Sequence, residues 1–182
     1  MKKNILVLTG SARVGGNSDL MADAFIKGAI TAGHEVVKCE AGRKTIKGCI
    51  ACDKCFSNGT ACIFNDDFNE IATYIEKADM IVFATPMYWY TFPSQLKGVI
   101  DKLYSFIVGE KKLNVTDCML LVCGEDADVS NFDGIIRTYQ IFTSYLKWAD
   151  KGQLIIPGVF NKGDILSTDY LVRAEEMGNN IQ

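Results

Sequence analysis

The chain has 182 residues, 48% apolar and 23% charged, with a formal net charge of −3. This suits a single globular domain over residues 1–182 with one full-sized core. The balance offers no field for nucleic acid, the run from Ile5 to Leu8 is too short for an export signal or membrane span, and seven cysteines cannot all pair in one chain; a cytoplasmic protein with reduced thiols is expected.

Strand-like and helical stretches alternate along the sequence. Residues 4–10, NILVLTG, form a continuous apolar run ending in glycine, as expected of a strand buried on both faces. From 18 to 31, Leu20, Met21, Ala24, Phe25 and Ala29 fall on one helical face. Residues 34–40 read as a second strand. Asp66 and Asp67 then place negative charge at the start of a helix running to about Lys77. Residues 79–85 make a third strand, and Pro93 opens a helix carrying Leu96, Val99, Ile100 and Leu103. A fourth strand (117–124), a helix near 132–147, a fifth strand (152–158) and a last helix from 165 to about 179 complete the chain. Five strands alternating with helices predict an open, doubly wound parallel sheet covered on both faces in three α/β/α layers. Ligands of such sheets bind beyond the carboxyl ends of the strands, where the strand order reverses.

The first of those ends is TGSARVGGNSDL, residues 9–20. Small and hydroxyl residues between strand and helix offer backbone N–H groups to an anion, helped by the helix dipole. Gly16-Asn17 stands where a nucleoside-triphosphate loop needs Lys-Ser/Thr, and no G-x-G-x-x-G fingerprint is present. A monophosphate fits what remains: Ser11, Asn17 and Ser18 as donors around Gly16, and Arg13 as the charged clamp. The plainer alternative is that Asn17 or Ser18 only caps the helix. The third strand runs into ATPMYWYTFPSQLK, residues 84–97, with Pro86, Met87, Tyr88, Trp89, Tyr90 and Phe92 close together. Aromatics at a ligand-binding strand end suit contact with a planar ring, or an oligomer interface. A phosphate grip with an aromatic loop points to FMN.

These motifs resemble the flavodoxin-like NAD(P)H-dependent FMN reductase family, which includes the iron–sulfur flavoproteins. Three stretches carry the resemblance: Gly10-Ser11-Ala12-Arg13-x2-Gly16-Asn17-Ser18, the cysteines Cys49-x2-Cys52-x2-Cys55 through Cys62-x3-Asp66-Asp67, and Pro86-x-Tyr88-Trp89 with Pro93-x2-Leu96-Lys97-x3-Asp101. Ala12 stands where the family usually has proline. The resemblance implies a flavodoxin-like five-stranded sheet of order 2-1-3-4-5. It also implies FMN phosphate on Ser11, Arg13, Asn17 and Ser18, flavin contacts from Pro86, Met87, Tyr88 and Trp89, and a third flavin loop near Gly124. The segment after Gly124 carries four acids, Glu125, Asp126, Asp128 and Asp133, which departs from a flavin-contact pattern.

One histidine, His34, lies at the end of the second strand opposite the ligand side, so a Ser-His-Asp or Cys-His set is excluded, and His34 reads as a surface residue. Hydride transfer to a flavin needs no protein base. The run Cys49, Cys52, Cys55 with Cys62 resembles a ferredoxin loop that could hold a 4Fe–4S cluster. The same spacing is common in family members with FMN alone, and Asn58-Gly59 could turn the loop without metal. The sequence therefore favours free thiols there, with zinc less natural still. Cys39, Cys118 and Cys123 read as core residues. The leading expectation is an FMN enzyme taking hydride from NAD(P)H and passing electrons to a flavin, quinone or other small acceptor. An iron–sulfur flavoprotein electron carrier and a non-catalytic FMN-binding interaction module are the alternatives. No nucleic-acid or membrane partner is expected, and the exposed aromatics suggest a homodimer or homotetramer.

Overall fold

The computed structural model describes residues 1–182. Its core is one five-stranded parallel sheet of β1 (Asn4–Thr9), β2 (Glu35–Cys39), β3 (Met80–Pro86), β4 (Asp117–Cys123) and β5 (Ala149–Ile156), in the order β2-β1-β3-β4-β5. The helices are α1 (Asn17–Thr31), α2 (Phe68–Lys77), α3 (Ser94–Lys102), α4 (Tyr104–Val108), α5 (Asp133–Tyr145) and α6 (Tyr170–Asn179). The fold is flavodoxin-like, as the motifs imply.

Two-residue alternation explains how continuous apolar strands serve both faces. Ile5 and Val7 pack with Phe25 and Ala174 on the α1/α6 side. Leu6 and Leu8 pack with Ile71, Leu96 and Tyr139 on the opposite side. Helices α1 and α6 approach so closely that a Cβ on Gly28 would strike the Glu175 carbonyl, and one on Gly178 the Phe25 carbonyl.

Three expectations need correction. Strand β5 begins at Ala149 rather than 152. Its first three residues are exposed and polar or small, so a hydrophobic reading misses them, and the ladder with β4 shifts register between Cys118 and Leu120. The tail is not one helix from 165: a 3₁₀ turn at Asp164–Ser167 and an extended Thr168 precede α6. Thr168 Oγ1 donates to the Ile165 carbonyl at 2.7 Å and accepts from the Tyr170 N–H at 3.3 Å, a local pairing that competes with helical continuation. His34 does sit away from the ligand side, but it is buried. Its Nδ1 accepts from the Lys3 N–H at 3.1 Å, which leaves Nε2 to donate to the Ile181 carbonyl at 3.1 Å, so the ring pins the C-terminal tail.

Candidate functional site

Backbone hydrogen bonds continue past the strand ends and set four loops side by side. Gly10 N–H donates to the Ala84 carbonyl at 3.0 Å and Met87 N–H to Cys123 at 2.8 Å. Gly124 N–H donates to Ile156 at 3.0 Å, and Val159 N–H to Gly124 at 2.9 Å. Between these loops, beyond the ends of the paired strands β1 and β3 where the strand order reverses, lies a cleft of about 180 Å³. Its walls include Ser11, Arg13, Gly16, Asn17 and Ser18 from the first loop, Pro86, Met87 and Tyr88 at the end of β3, and Gly124 after β4.

The first loop is built to receive an anion. The backbone N–H groups of Ala12, Val14, Asn17 and Ser18 find no partner within the chain. Gly16 is the N-cap of α1 and no side chain caps it, so neither Asn17 nor Ser18 serves the plain capping role. Ser11 Oγ accepts from the Arg13 N–H at 3.0 Å, leaving its own proton free to donate outward. Ser18 is 3% exposed, lines the cleft and makes no hydrogen bond through its hydroxyl. Gly15 holds a left-handed φ of +63°, and a Cβ on Gly10 would meet Thr85 Oγ1. Asp19 braces the loop from below, accepting from the Gly15 N–H at 2.7 Å and from Lys38 Nζ at 2.6 Å. Burial works against its charge, but the Lys38 and Gly15 hydrogen bonds outweigh it and hold the carboxyl below its usual value.

Asn17 differs from the sequence expectation. Its side-chain amide faces the loop after β5: Nδ2 donates to the Asn161 carbonyl at 2.9 Å, and Oδ1 accepts from the N–H groups of Gly163 and Ile165. Only its backbone N–H remains for an anion.

The aromatic segment forms a tight turn. Tyr88 and Thr91 exchange backbone hydrogen bonds at 2.9 and 3.1 Å, and the two residues between them, Trp89 and Tyr90, have φ of +48° and +65°. Such turns ordinarily use Asn and Gly, because a left-handed conformation costs other residues about 1–2 kcal/mol each. Placing a tryptophan and a tyrosine there is strain of the kind found at functional sites. Tyr88 lines the cleft, while Trp89 stands outside it, 92% exposed, its ring 6.2 Å from that of Tyr90.

The acids after β4 mostly fold their own loop. Asp126 accepts from the Asp128 N–H at 3.1 Å and from Asn131 Nδ2 at 2.6 Å, and Asp128 accepts from the Ser130 N–H at 2.9 Å. Only Glu125 reaches the cleft. The sequence reading missed Cys123, Val159, Phe160 and Lys162, which also line it. The glycine-flanked loop after β5 leaves from the same sheet edge as the other three, and that position was the available signal.

The family description for NADPH-dependent FMN reductase matches residues 3–129. The chain belongs to this family. An iron-sulfur flavoprotein of Archaeoglobus fulgidus is 32% identical over 99 residues, covering 54% of this chain and 44% of that protein. The chain spans about half the length of the curated iron-sulfur flavoproteins it matches. Among solved structures, the NAD(P)H:quinone oxidoreductase of Methanothermobacter marburgensis superposes with a TM-score of 0.71 at 17% identity over 99% of this chain and 97% of that one. An azoreductase of Bacillus anthracis gives 0.70 at 15% identity over the full length of both. Similarity at this level establishes the shared fold. The donors of the first loop, with Arg13 beside them, fit the phosphate of the family's FMN.

In this FMN reductase family member the cysteine loop meets the end of α3 and the start of α4. Cys49, Cys52, Cys55 and Cys62 line one small cavity, with Lys102 and Tyr104 at its wall. Burial, then the neighbouring Cys62, Cys49 and Cys52 sulfurs, push the Cys55 thiol up. Ala51, Asp53 and Phe56 adopt left-handed φ of +50°, +52° and +57°. Backbone N–H groups from Gly48 to Lys54 have no partner within the chain. Cys39, Cys118 and Cys123 are buried thiols, pushed by burial up to about 11, 11 and 12.

Proposed function

We propose that the protein is an FMN-dependent NAD(P)H oxidoreductase that passes electrons to a flavin, quinone or other small acceptor. One observation carries this reading: the anion-receiving loop after β1 and the Pro86–Tyr88 segment after β3 converge on one cleft at the topological switch point. When bound, FMN supplies the hydride and electron chemistry. The chain's residues do the rest. Ser11, Ser18, Arg13 and the free N–H groups hold the phosphate. Met87, Tyr88 and Gly124 shape the space for the ring, and the carboxyl-end loops leave one face open to a nicotinamide or acceptor. Gly124 keeps that space: a Cβ there would lie 3.0 Å from Phe132 and 3.5 Å from Met87. Protein carrying FMN should lose its yellow absorbance on anaerobic addition of NADH or NADPH and regain it with a quinone. FMN-loaded protein that stays yellow with both nucleotides contradicts the enzyme reading.

A second reading has its own support. Four cysteines around one cavity, three left-handed residues between them and a run of free N–H groups suit a 4Fe–4S cluster, whose sulfurs accept such hydrogen bonds. The Archaeoglobus relative is named for an iron–sulfur centre. No three His, Cys, Asp or Glu side chains are grouped to hold a single metal ion, but a four-iron cube carries one thiolate per iron and spreads its ligands wider. Anaerobic purification should give about four irons and four sulfides per chain. Absence of both after reconstitution would leave the loop as thiols.

Self-association belongs to the same proposal. Trp89 and Tyr90 are exposed on the turn after β3, and Tyr145 and Ile141 of α5 line an apolar groove with Ile107. No helix is long and apolar enough to cross a membrane.

A further inference from the structure

We infer that Lys162, held in place by Asn17, is a second cation at the phosphate end of the cleft. The inference rests on the FMN reading and deepens it. Lys162 belongs to the loop after β5, and Asn17 ties that loop to the start of α1. Asn17 Nδ2 donates to the Asn161 carbonyl at 2.9 Å, and its Oδ1 accepts from Gly163 N–H at 3.1 Å and Ile165 N–H at 3.3 Å. The three bonds bracket Lys162 on both sides. Asp164 closes the loop from within, accepting from the N–H groups of Phe160 and Asn161 at 3.0 and 2.7 Å. Gly163, at φ +91°, makes the bend.

With its backbone fixed, the Lys162 side chain lies along Gly15. A Cβ on Gly15 would sit 3.3 Å from Lys162 Cε and 3.5 Å from Nζ. Lys162 forms no hydrogen bond or ion pair to a carboxylate, whereas Lys38, below the same loop, is held between Asp19 and Asp23. It lines the same cleft as Ser18, whose hydroxyl makes no hydrogen bond within the chain, and as Arg13. A phosphate monoester carries about 1.5–2 negative charges near neutral pH. One guanidinium leaves part of that charge uncompensated, and the Lys162 ammonium supplies the balance. Asn17 is then a positioning residue: it acts through Lys162, and its amide does not touch the phosphate.

The test compares FMN with riboflavin, which has the same ring and side chain but no phosphate, in fluorescence titrations of the flavin-stripped full chain. Lys162→Met should weaken FMN roughly tenfold and leave riboflavin unchanged, and Lys162→Arg should keep the native preference. Riboflavin binding doubles as the check that each variant is folded. Asn17→Ala should lower the preference for FMN in the native chain, yet lower it no further when Lys162 is already Met. A native preference for FMN that survives Lys162→Met in full overturns the inference alone. So does a further loss from Asn17→Ala in that variant. A native chain that takes up neither flavin overturns the FMN reading as well.

Discussion

At the scale of single residues, charge and strain mark the site. Asp19 braces the phosphate loop with a carboxyl held below its usual value, so it stabilises the fold above the unfolded value near 3.8 and ceases to do so as pH falls through the lower folded value. The unfolded chain binds more protons in that window, so stability rises with pH across it. Urea denaturation of the native chain should therefore show a steeper loss of stability below about pH 4 than Asp19→Asn, whose curve lacks this component. Trp89 offers a second handle, since its left-handed conformation is unfavourable for any residue with a Cβ. Trp89→Gly should leave the melting temperature unchanged or raise it slightly, while reducing flavin-dependent reductase turnover or self-association. A clear drop in melting temperature would mean that the ring is packed within its own chain. Ser11, Arg13 and Ser18 could be placed at the cleft from sequence because the turn after a buried parallel strand lies at the sheet's ligand edge. The amide of Asn17 was not, because its partners lie 144 to 148 residues away and no local pattern announces them.

At the scale of elements, two contacts decide how rigidly the site is held. Helix α6 meets α1 through Gly28 and Gly178, with each helix's backbone occupying the space where the other's side chain would stand. Gly178→Ala should destabilise the chain by about 1–3 kcal/mol, read as a lower urea midpoint at unchanged slope. On the other face, Lys102 and Asp66 form an ion pair at 2.6 Å whose side chains are almost fully buried. Asp66 also accepts from the N–H groups of Lys47 and Phe68, so one carboxylate joins the base of the cysteine loop to α2 and α3. Lys102→Met strands that carboxylate and should cost about 3–5 kcal/mol in the same assay. Asp66 and Asp67 were read from sequence as helix-terminus charges. That is part of their work, but the ion pair depends on α3 arriving from elsewhere in the chain. Strands β1, β3 and β4 could be placed from sequence because burial on both faces leaves unbroken apolar runs. The start of β5 could not, because an edge strand carries exposed polar residues that look like a loop.

At the scale of the whole molecule, alternation of strands with helices was enough to give the parallel sheet, and the sheet fixed which loops share an edge. What remained hidden was the loop after β5, whose role follows from adjacency to β4 rather than from its own residues. The exposed Trp89 and Tyr90, and the apolar groove beside Tyr145, should make the chain self-associate, and light scattering after gel filtration should give the mass of a homodimer or homotetramer rather than the 20.1 kDa of one chain. The most direct test of the central claim is a fluorescence titration of the flavin-stripped chain with FMN, repeated for Arg13→Ala. Saturation at one FMN per chain, weakened at least roughly tenfold in the variant, is the expected result. Failure of the native chain to bind FMN, or identical uptake by Arg13→Ala, contradicts the assignment of this cleft.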